Sequence, residues 1–141
     1  MFKTIIASLL IGTTAYALPT IPEGRYDGKA NWKSDSGNNG QYTTSVTVKG
    51  DSIAAEYTYP SNKATYSFET KPTNNGFFDV IVNSQKVGQG YCLTVQCHYT
   101  AEFGNVKIEE SLTFWQGHLY RVGSKNINGV SIAWEESLKA K

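Results

Sequence analysis

Apolar and polar side chains alternate with a period of two along most of the chain, from residue 24 to residue 138. In the opening segment, GRYDGKANWK, the side chains of Tyr26, Ala30 and Trp32 share one face, and charged or polar side chains occupy the other. Because successive residues of a strand point to opposite faces, this pattern is typical of strands with one buried side. No long stretch places apolar residues at helical spacing, so the sequence predicts an almost entirely β protein.

Short turns determine how the predicted strands pair, since a two-residue loop decides which side chains stand opposite each other. With Gly104-Asn105, Gln116-Gly117 and Asn128-Gly129 as loops, three successive hairpins agree on one inner face. Similar turns elsewhere divide the chain into roughly 8 to 10 strands. Such a series of hairpins leaves exposed edges unless it closes on itself. We therefore expect an antiparallel up-and-down β-barrel, with a β-sandwich as the alternative.

The same pairing brings charged residues onto the inner face of the last strands. Arg121 stands opposite Glu136 on one neighbouring strand and diagonal to Glu110 on the other, and Tyr99 lies across from Glu110. A buried arginine is costly unless its partners are hydrogen-bonded to it. Two roles stay open for this cluster: a structural plug that closes the barrel, and a polar anchor at the base of a ligand cavity.

Each role predicts its own residues. In the structural role, an aromatic ring such as Trp32 or Tyr26 lies on the guanidinium. In the ligand-binding role, the barrel interior is lined by Tyr57, Tyr99, Glu110, Arg121, Glu136 and Trp134.

Catalysis by Glu110 or Glu136, for example in a hydrolase, is a third hypothesis for the cluster. A neighbouring arginine lowers the pKa of a carboxyl group, which is the wrong direction for a general acid at neutral pH. No nucleophile motif, phosphate-binding loop or metal-ligand cluster is apparent, and no cofactor is implied. From the sequence we therefore expect a binding protein that is not an enzyme.

The two cysteines of the chain lie close together in the stretch GYCLTVQCHY. With Thr94-Val95 as the loop, Cys92 and Cys97 form a non-hydrogen-bonded pair whose Cα atoms lie about 4.5 Å apart, which a disulfide accepts. The alternatives are free thiols and a metal site that adds His98. The spacing is not the C-x-x-C of redox proteins. We expect a disulfide.

The register of this hairpin conflicts with the one before it. A two-residue loop at Asn83-Ser84 would turn Gly88 and Gly90 outward, whereas the cysteine pairing turns them inward. A bulge or a three-residue loop near Gln85 would reconcile the two registers.

The first 17 residues resemble a secretory signal peptide. One lysine precedes an apolar run, and Ala15, Tyr16 and Ala17 form an A-x-A cleavage site. Cleavage leaves residues 18–141, which is 141 − 17 = 124 residues, as one domain without a transmembrane segment. The mature chain has 13 − 1 = 12 basic and 12 acidic side chains, which gives no reason to expect nucleic-acid binding. We expect a secreted or periplasmic protein.

The first strand, GRYDGKANW, resembles a loose version of the G-x-W opening of the lipocalin and wider calycin barrels. Gly24 and Tyr26 stand at the motif positions, with Trp32 as the alternative aromatic and Arg121 as the late-strand arginine on which that aromatic packs. The chain departs from the family by its Tyr at the motif, by its local disulfide and by the missing C-terminal helix. The resemblance implies a barrel whose mouth accepts a small apolar molecule, and it strengthens the structural role of Arg121.

Two binding functions follow from these observations. The first is a carrier of a small apolar or amphipathic ligand, because many aromatic side chains point inward. The second is a protein-binding module, for example an inhibitor of an envelope enzyme, which would act through its loops and outer aromatics such as Phe77 and Trp115.

Overall fold

A computed structural model describes residues 20–141 of the chain. The predicted signal peptide, residues 1–17, lies outside these residues. Within residues 20–141 no helix is long and apolar enough to cross a membrane. Ten strands run through the described part of the chain: β1 Gly24–Ser34, β2 Asn39–Lys49, β3 Ser52–Thr58, β4 Lys63–Pro72, β5 Phe77–Val82, β6 Gln85–Cys92, β7 Gln96–Phe103, β8 Val106–Trp115, β9 His118–Ile127 and β10 Val130–Ala140.

The strands form a closed antiparallel barrel of up-and-down topology. Each strand pairs with the next one in sequence, and β1 pairs with β10 to complete the ring. Closure removes the unpaired edges that a ten-stranded meander would otherwise expose. The predicted barrel is therefore confirmed, and the chain does not form the alternative sandwich.

The turns set the registers that the sequence predicted. Tyr99 faces Glu110 across β7 and β8, and Arg121 faces Glu136 across β9 and β10. Gln116 and Asn128, the first loop residues of two hairpins, have φ values of 49° and 52°. Both are followed by a glycine that also has a positive φ, as tight hairpin turns with a type I′ backbone require.

Cys92 and Cys97 stand opposite each other on β6 and β7 and form a disulfide, with their Cα atoms 4.0 Å apart. The disulfide prediction is confirmed. The loop between the strands is closed by a hydrogen bond of 2.7 Å that Leu93 N donates to Gln96 O.

A β-bulge reconciles this hairpin with the preceding one. Val80 pairs with Gly88 while Ile81 pairs with Lys86, which leaves Val87 as an extra residue on β6. Val87 lies two residues after Gln85, so the bulge is in the region where the sequence predicted a bulge or a three-residue loop. It lets the tight turn at Asn83-Ser84 coexist with an inward-facing Gly90.

One end of the barrel is filled by apolar side chains. The fully buried ones come from every strand except β6, which contributes the partly buried Val87 and Cys92, and Ile21, which precedes β1, packs with them. The Tyr26 hydroxyl donates a hydrogen bond of 2.6 Å to Pro22 O, and Gly50 N donates one of 2.6 Å to a carboxylate oxygen of Glu23. Residues 20–23 therefore cover this closed end. The largest buried apolar side chains there are Tyr26, Ile53, Phe68, Phe78, Leu112, Leu119 and Leu138.

Candidate functional site

The other half of the barrel encloses a cavity of about 460 Å³. Tyr99 and Phe68, whose ring centroids lie 4.9 Å apart, mark the boundary between this cavity and the filled end. Phe103, Val106 and Ile127 line it next to the turns that join β7 to β8 and β9 to β10. The remaining lining residues are Trp32, Tyr42, Tyr57, Tyr59, Ala64, Thr65, Tyr66, Tyr99, Ile108, Glu110, Arg121, Lys125, Ile132, Trp134 and Glu136.

Three buried charged side chains form the floor of the cavity. Arg121 Nε donates to Glu110 Oε1, and Arg121 Nη2 donates to Glu110 Oε2, both at 2.9 Å. Arg121 Nη1 donates to Glu136 Oε2, also at 2.9 Å. The three side chains come from β8, β9 and β10, where the strand registers place them side by side. All three are at most 3% exposed, so the protein itself supplies the partners that water cannot.

Aromatic residues complete the hydrogen bonds of this floor. The Tyr42 hydroxyl donates to Glu136 Oε1 at 2.8 Å, and Trp134 Nε1 donates to Glu110 Oε2 at 3.2 Å. The Tyr57 hydroxyl accepts a bond of 3.3 Å from Arg121 Nη2. Both carboxylates are thus held by the arginine and by one aromatic side chain each.

The electrostatics of the floor follow from its burial. Burial raises the pKa of Glu110, and the nearby Glu136 raises it further, while Arg121 opposes both effects. Burial disfavours the charge of Arg121, but the surrounding Glu110, Tyr57 and Glu136 outweigh this and raise its pKa well above the usual value. Burial also raises the pKa of Tyr57 to about 12. The arginine and the tyrosine therefore do not titrate near neutral pH.

Two tyrosine hydroxyls in the cavity have no hydrogen-bond partner among the described residues. They belong to Tyr66 and to Tyr99, which is 1% exposed. Burial raises the pKa of Tyr66 and the neighbouring Tyr99 hydroxyl lowers it, but the geometry of the two groups does not make a hydrogen bond that satisfies either hydroxyl. A buried polar group without a partner is costly, so each of these hydroxyls calls for an explanation, and a bound molecule that supplies a partner is one such explanation.

Each cavity tryptophan lies across a glycine of the neighbouring strand. Trp32 faces Gly40, where an added Cβ would come within 2.8 Å of the indole Nε1. Trp134 faces Gly123, where an added Cβ would come within 2.5 Å of the indole ring and 2.7 Å of the Glu109 carbonyl oxygen. The absence of a side chain at these glycines gives the two indoles room to lie along the barrel wall.

The structure brings together the six residues that the sequence assigned to the barrel interior. All six line the cavity: Tyr57, Tyr99, Glu110, Arg121, Glu136 and Trp134. Of the two residues assigned a structural role, Trp32 lines the same cavity, whereas Tyr26 packs edge-on against Phe114 in the closed end. The idea that Tyr26 covers the guanidinium is therefore wrong, because its ring and its hydroxyl are both engaged at the closed end.

Sequence reasoning missed the roles of Tyr42 and Lys125. Tyr42 points inward as expected, but its hydrogen bond to Glu136 depends on side-chain conformation, which alternation does not report. Lys125 lines the cavity wall, and burial lowers its pKa. The register that pairs Lys125 with Ile132 was readable from the Asn128-Gly129 turn and already placed this lysine inside.

No group of three or more histidine, cysteine, aspartate or glutamate side chains in residues 20–141 could hold a metal ion. The site contains one guanidinium, two carboxyl groups and several tyrosine hydroxyls, and aromatic rings line the cavity around them. This combination can orient the polar end of a small molecule while the rings contact its apolar part.

Comparisons with known proteins support the fold. Neither protein-family models nor curated proteins gave a match to the sequence. Among solved structures, the barrel is similar to an S-type phycobiliprotein lyase from Guillardia theta, with a TM-score of 0.59 and 9% identity over 84% of this chain and 88% of that one. It is also similar to a protein of unknown function of the DUF3598 family from Nostoc punctiforme, with a TM-score of 0.63 and 11% identity. That match covers 84% of this chain but 47% of the other.

Both similarities are to the barrel fold of this chain, so they support the predicted resemblance at the level of the fold alone. The prediction that this protein is not an enzyme is wrong as a general exclusion, because one of the barrels it resembles is a lyase. A barrel of this shape is compatible with catalysis, and the lack of a recognisable catalytic motif does not exclude it.

Proposed function

We propose that the protein binds a small amphipathic molecule in the open half of its barrel. The observation that carries this proposal is a cavity of about 460 Å³ with an aromatic wall and a fully buried polar floor. A side-chain core that merely filled the barrel would leave no such space, since protein interiors pack with few voids larger than a water molecule. The proposal applies both to a carrier, which transports its ligand, and to an enzyme, which catalyses a reaction of its ligand.

The unpartnered hydroxyl of Tyr99 supports the same proposal. Tyr99 lines the cavity, and its hydroxyl is buried and lacks a hydrogen-bond partner among the described residues. A ligand with a polar group at this depth would satisfy it. The similarity to a barrel that is named a phycobiliprotein lyase adds support from the fold.

Native mass spectrometry after mild purification tests the proposal, together with thermal-shift and tryptophan-fluorescence titrations against a panel of small amphiphiles. Trp32 and Trp134 line the cavity, whereas Trp115 is 55% exposed, so binding should change the emission of the two cavity indoles. A bare mass combined with no response to any member of the panel would overturn the proposal.

A matched pair of variants ties binding to the cavity. Ile108→Trp places an indole in the cavity, while Lys107→Trp places one on the exposed outer face of the same strand. The first variant should lose binding, and the second should bind like the native protein. Equal binding by both variants would place the ligand elsewhere.

We also propose that the protein is exported, to the periplasm or to the exterior. The signal-like sequence of residues 1–17 and the disulfide between Cys92 and Cys97 support this, since disulfides persist in oxidising compartments. Cell fractionation with N-terminal sequencing of the mature protein tests it. A chain that starts at Met1 in the cytosolic fraction would contradict export.

A second candidate function, binding to an envelope protein, rests on aromatic side chains of the outer face. Phe77 is 54% exposed and Trp115 is 55% exposed. Pull-down from the envelope fraction with the native protein and with a Phe77→Ser, Trp115→Ser variant tests this function. A partner captured equally by both forms, or by neither, would argue against it.

A further inference from the structure

The floor of the cavity carries more carboxyl groups than cations. One guanidinium, that of Arg121, serves both Glu110 and Glu136. With both carboxyl groups ionised, the floor has a net charge of −1; with one proton added, it is neutral. In neither state does it present positive charge to a ligand, so the anionic head group of a molecule such as a fatty acid would meet an electrostatic penalty there.

The bonding around Arg121 strengthens this conclusion. Its Nε and Nη2 groups are directed at Glu110, Nη1 is directed at Glu136, and Nη2 also reaches the Tyr57 hydroxyl. The guanidinium is therefore already engaged by the protein. Each oxygen of Glu136 accepts one hydrogen bond from the described residues, Oε1 from Tyr42 and Oε2 from Arg121.

A second and independent observation points to a ligand at this depth. Tyr66 and Tyr99 line the cavity, and their buried hydroxyl groups have no hydrogen-bond partner among the described residues. Hydroxyl oxygens accept hydrogen bonds from N–H groups. A ligand nitrogen that carries protons would satisfy these tyrosines and would also neutralise the excess charge of the floor.

The walls suit the same kind of group. The ring centroids of Tyr42 and Tyr57 lie 5.6 Å apart, and those of Tyr42 and Tyr59 lie 5.2 Å apart, so three rings cluster on one side of the floor. Trp134 lies on another side and donates to Glu110. Aromatic faces attract cations, and they do so more strongly in a site from which water is excluded.

Lys125 does not cancel the charge of the floor. It lies four residues after Arg121 on β9, which is roughly 13 Å at the usual rise of a strand. That spacing separates the two Cα atoms, so Lys125 is attached to the cavity wall nearer to the turn between β9 and β10, while the two glutamates lie beside Arg121 at the floor.

We propose that the cavity selects a flat organic cation, whose protonated nitrogen faces Glu110 and Glu136 and whose apolar body lies between the aromatic walls. This inference rests on the proposed function and adds to it the charge and the orientation of the ligand.

Three isosteric probes test the proposal: 2-naphthamidine, which is a cation, 2-naphthamide, which is neutral, and 2-naphthoate, which is an anion. Their affinities for the native protein are measured at pH 7 by calorimetry and tryptophan fluorescence. The amidinium should bind at least about tenfold more tightly than the amide, and the carboxylate should bind most weakly of the three. Tighter binding of the naphthoate, or equal binding of amide and amidinium, would overturn the proposal and leave the ligand-binding function standing. Binding of none of the three would overturn both.

Matched variants locate the selectivity. Glu110→Gln removes one charge from the floor, while Glu109→Gln removes one from the adjacent exposed position on the outer face of β8. The preference for the amidinium over the amide should fall about tenfold in the first variant and stay unchanged in the second. An unchanged preference in Glu110→Gln would contradict the proposal. If that variant does not fold, Glu136→Gln with Glu135→Gln as its control makes the same comparison.

Discussion

Arg121 and Glu110 form a bidentate ion pair inside the barrel, with Nε and Nη2 of the arginine each 2.9 Å from a carboxylate oxygen. Both side chains are 1% exposed. The geometry is the one that best offsets the cost of removing a guanidinium and a carboxylate from water. The pair stands at the base of the cavity, so it both closes the packed half of the barrel and forms the polar end of the open half.

Replacing Arg121 by methionine should strongly destabilise the fold, because two buried carboxyl groups would lose their shared cation. Breaking a buried ion pair from one side costs about 3–5 kcal/mol. Urea unfolding of Arg121→Met measures this loss. Arg25→Met is the control, since the Arg25 side chain is 59% exposed in its ion pair with Asp27 and such pairs contribute about 0–1 kcal/mol. Similar losses in the two variants would show that the cluster is not a structural centre.

Two tyrosine-to-phenylalanine substitutions should behave in opposite ways. Tyr42→Phe removes the donor to Glu136 and should lower the free energy of unfolding by about 1–3 kcal/mol. Tyr99→Phe removes a buried hydroxyl that has no partner among the described residues, so it should leave stability unchanged or raise it. We expect Tyr99→Phe to weaken binding of 2-naphthamidine severalfold. Denaturant titrations and calorimetry check both effects, and a large loss of stability in Tyr99→Phe would be inconsistent with an unsatisfied hydroxyl.

Gly123→Ala should damage the cavity by displacing Trp134. The new Cβ would lie 2.5 Å from the indole ring and 2.7 Å from the Glu109 carbonyl oxygen, so the strand or the ring has to move. Overpacking of this kind costs about 1–3 kcal/mol. Binding should weaken, and the change in Trp134 fluorescence on binding should be reduced. Ser124→Ala, on the exposed outer face of β9, is the control and should change neither quantity.

Binding of a cation should strengthen as pH rises through the pKa of Glu110. Burial raises that pKa, so the floor is neutral below it and has a charge of −1 above it. The groups that face Glu110 are Arg121, Glu136, Tyr57 and Tyr99, and of these the arginine and both tyrosines have pKa values raised away from neutrality. The affinity for 2-naphthamidine, which stays protonated well above neutral pH, should rise as the pH increases through that raised pKa and then level off.

Lys125 needs its own control in that measurement. Burial lowers its pKa, and loss of its charge at higher pH would also favour a cation. The pH titration is therefore repeated with Lys125→Met, which should keep the rise, and with Glu110→Gln, which should abolish it. A rise that disappears in Lys125→Met and persists in Glu110→Gln would assign the effect to the lysine.

Much of the architecture was predictable because it depends on local rules. The turns at Gln116-Gly117 and Asn128-Gly129 determine which residues face each other, and alternation determines which face is inside. These two rules were enough to place Arg121 opposite Glu136 and beside Glu110. The need for a bulge near Gln85 was also readable, because two local registers disagreed there.

The cavity and the position of Tyr26 were not predictable in the same way. Whether inward side chains meet across a barrel depends on its diameter, on strand tilt and on side-chain conformation, none of which alternation reports. Tyr26 and Trp32 lie on the same face of β1, yet one packs in the closed end and the other lines the cavity. The sequence pattern treats them as equivalent, and only the depth along the barrel axis separates them.

The two ends of the described chain meet at the closed end of the barrel, far from its mouth. Residues 20–23 cover the closed end, and Lys141 N donates a hydrogen bond of 2.9 Å to Arg25 O beside them. An affinity tag, a dye or a surface linker attached at Lys141 would therefore project away from the opening. The protein can be immobilised through Lys141 with its cavity still facing the solution.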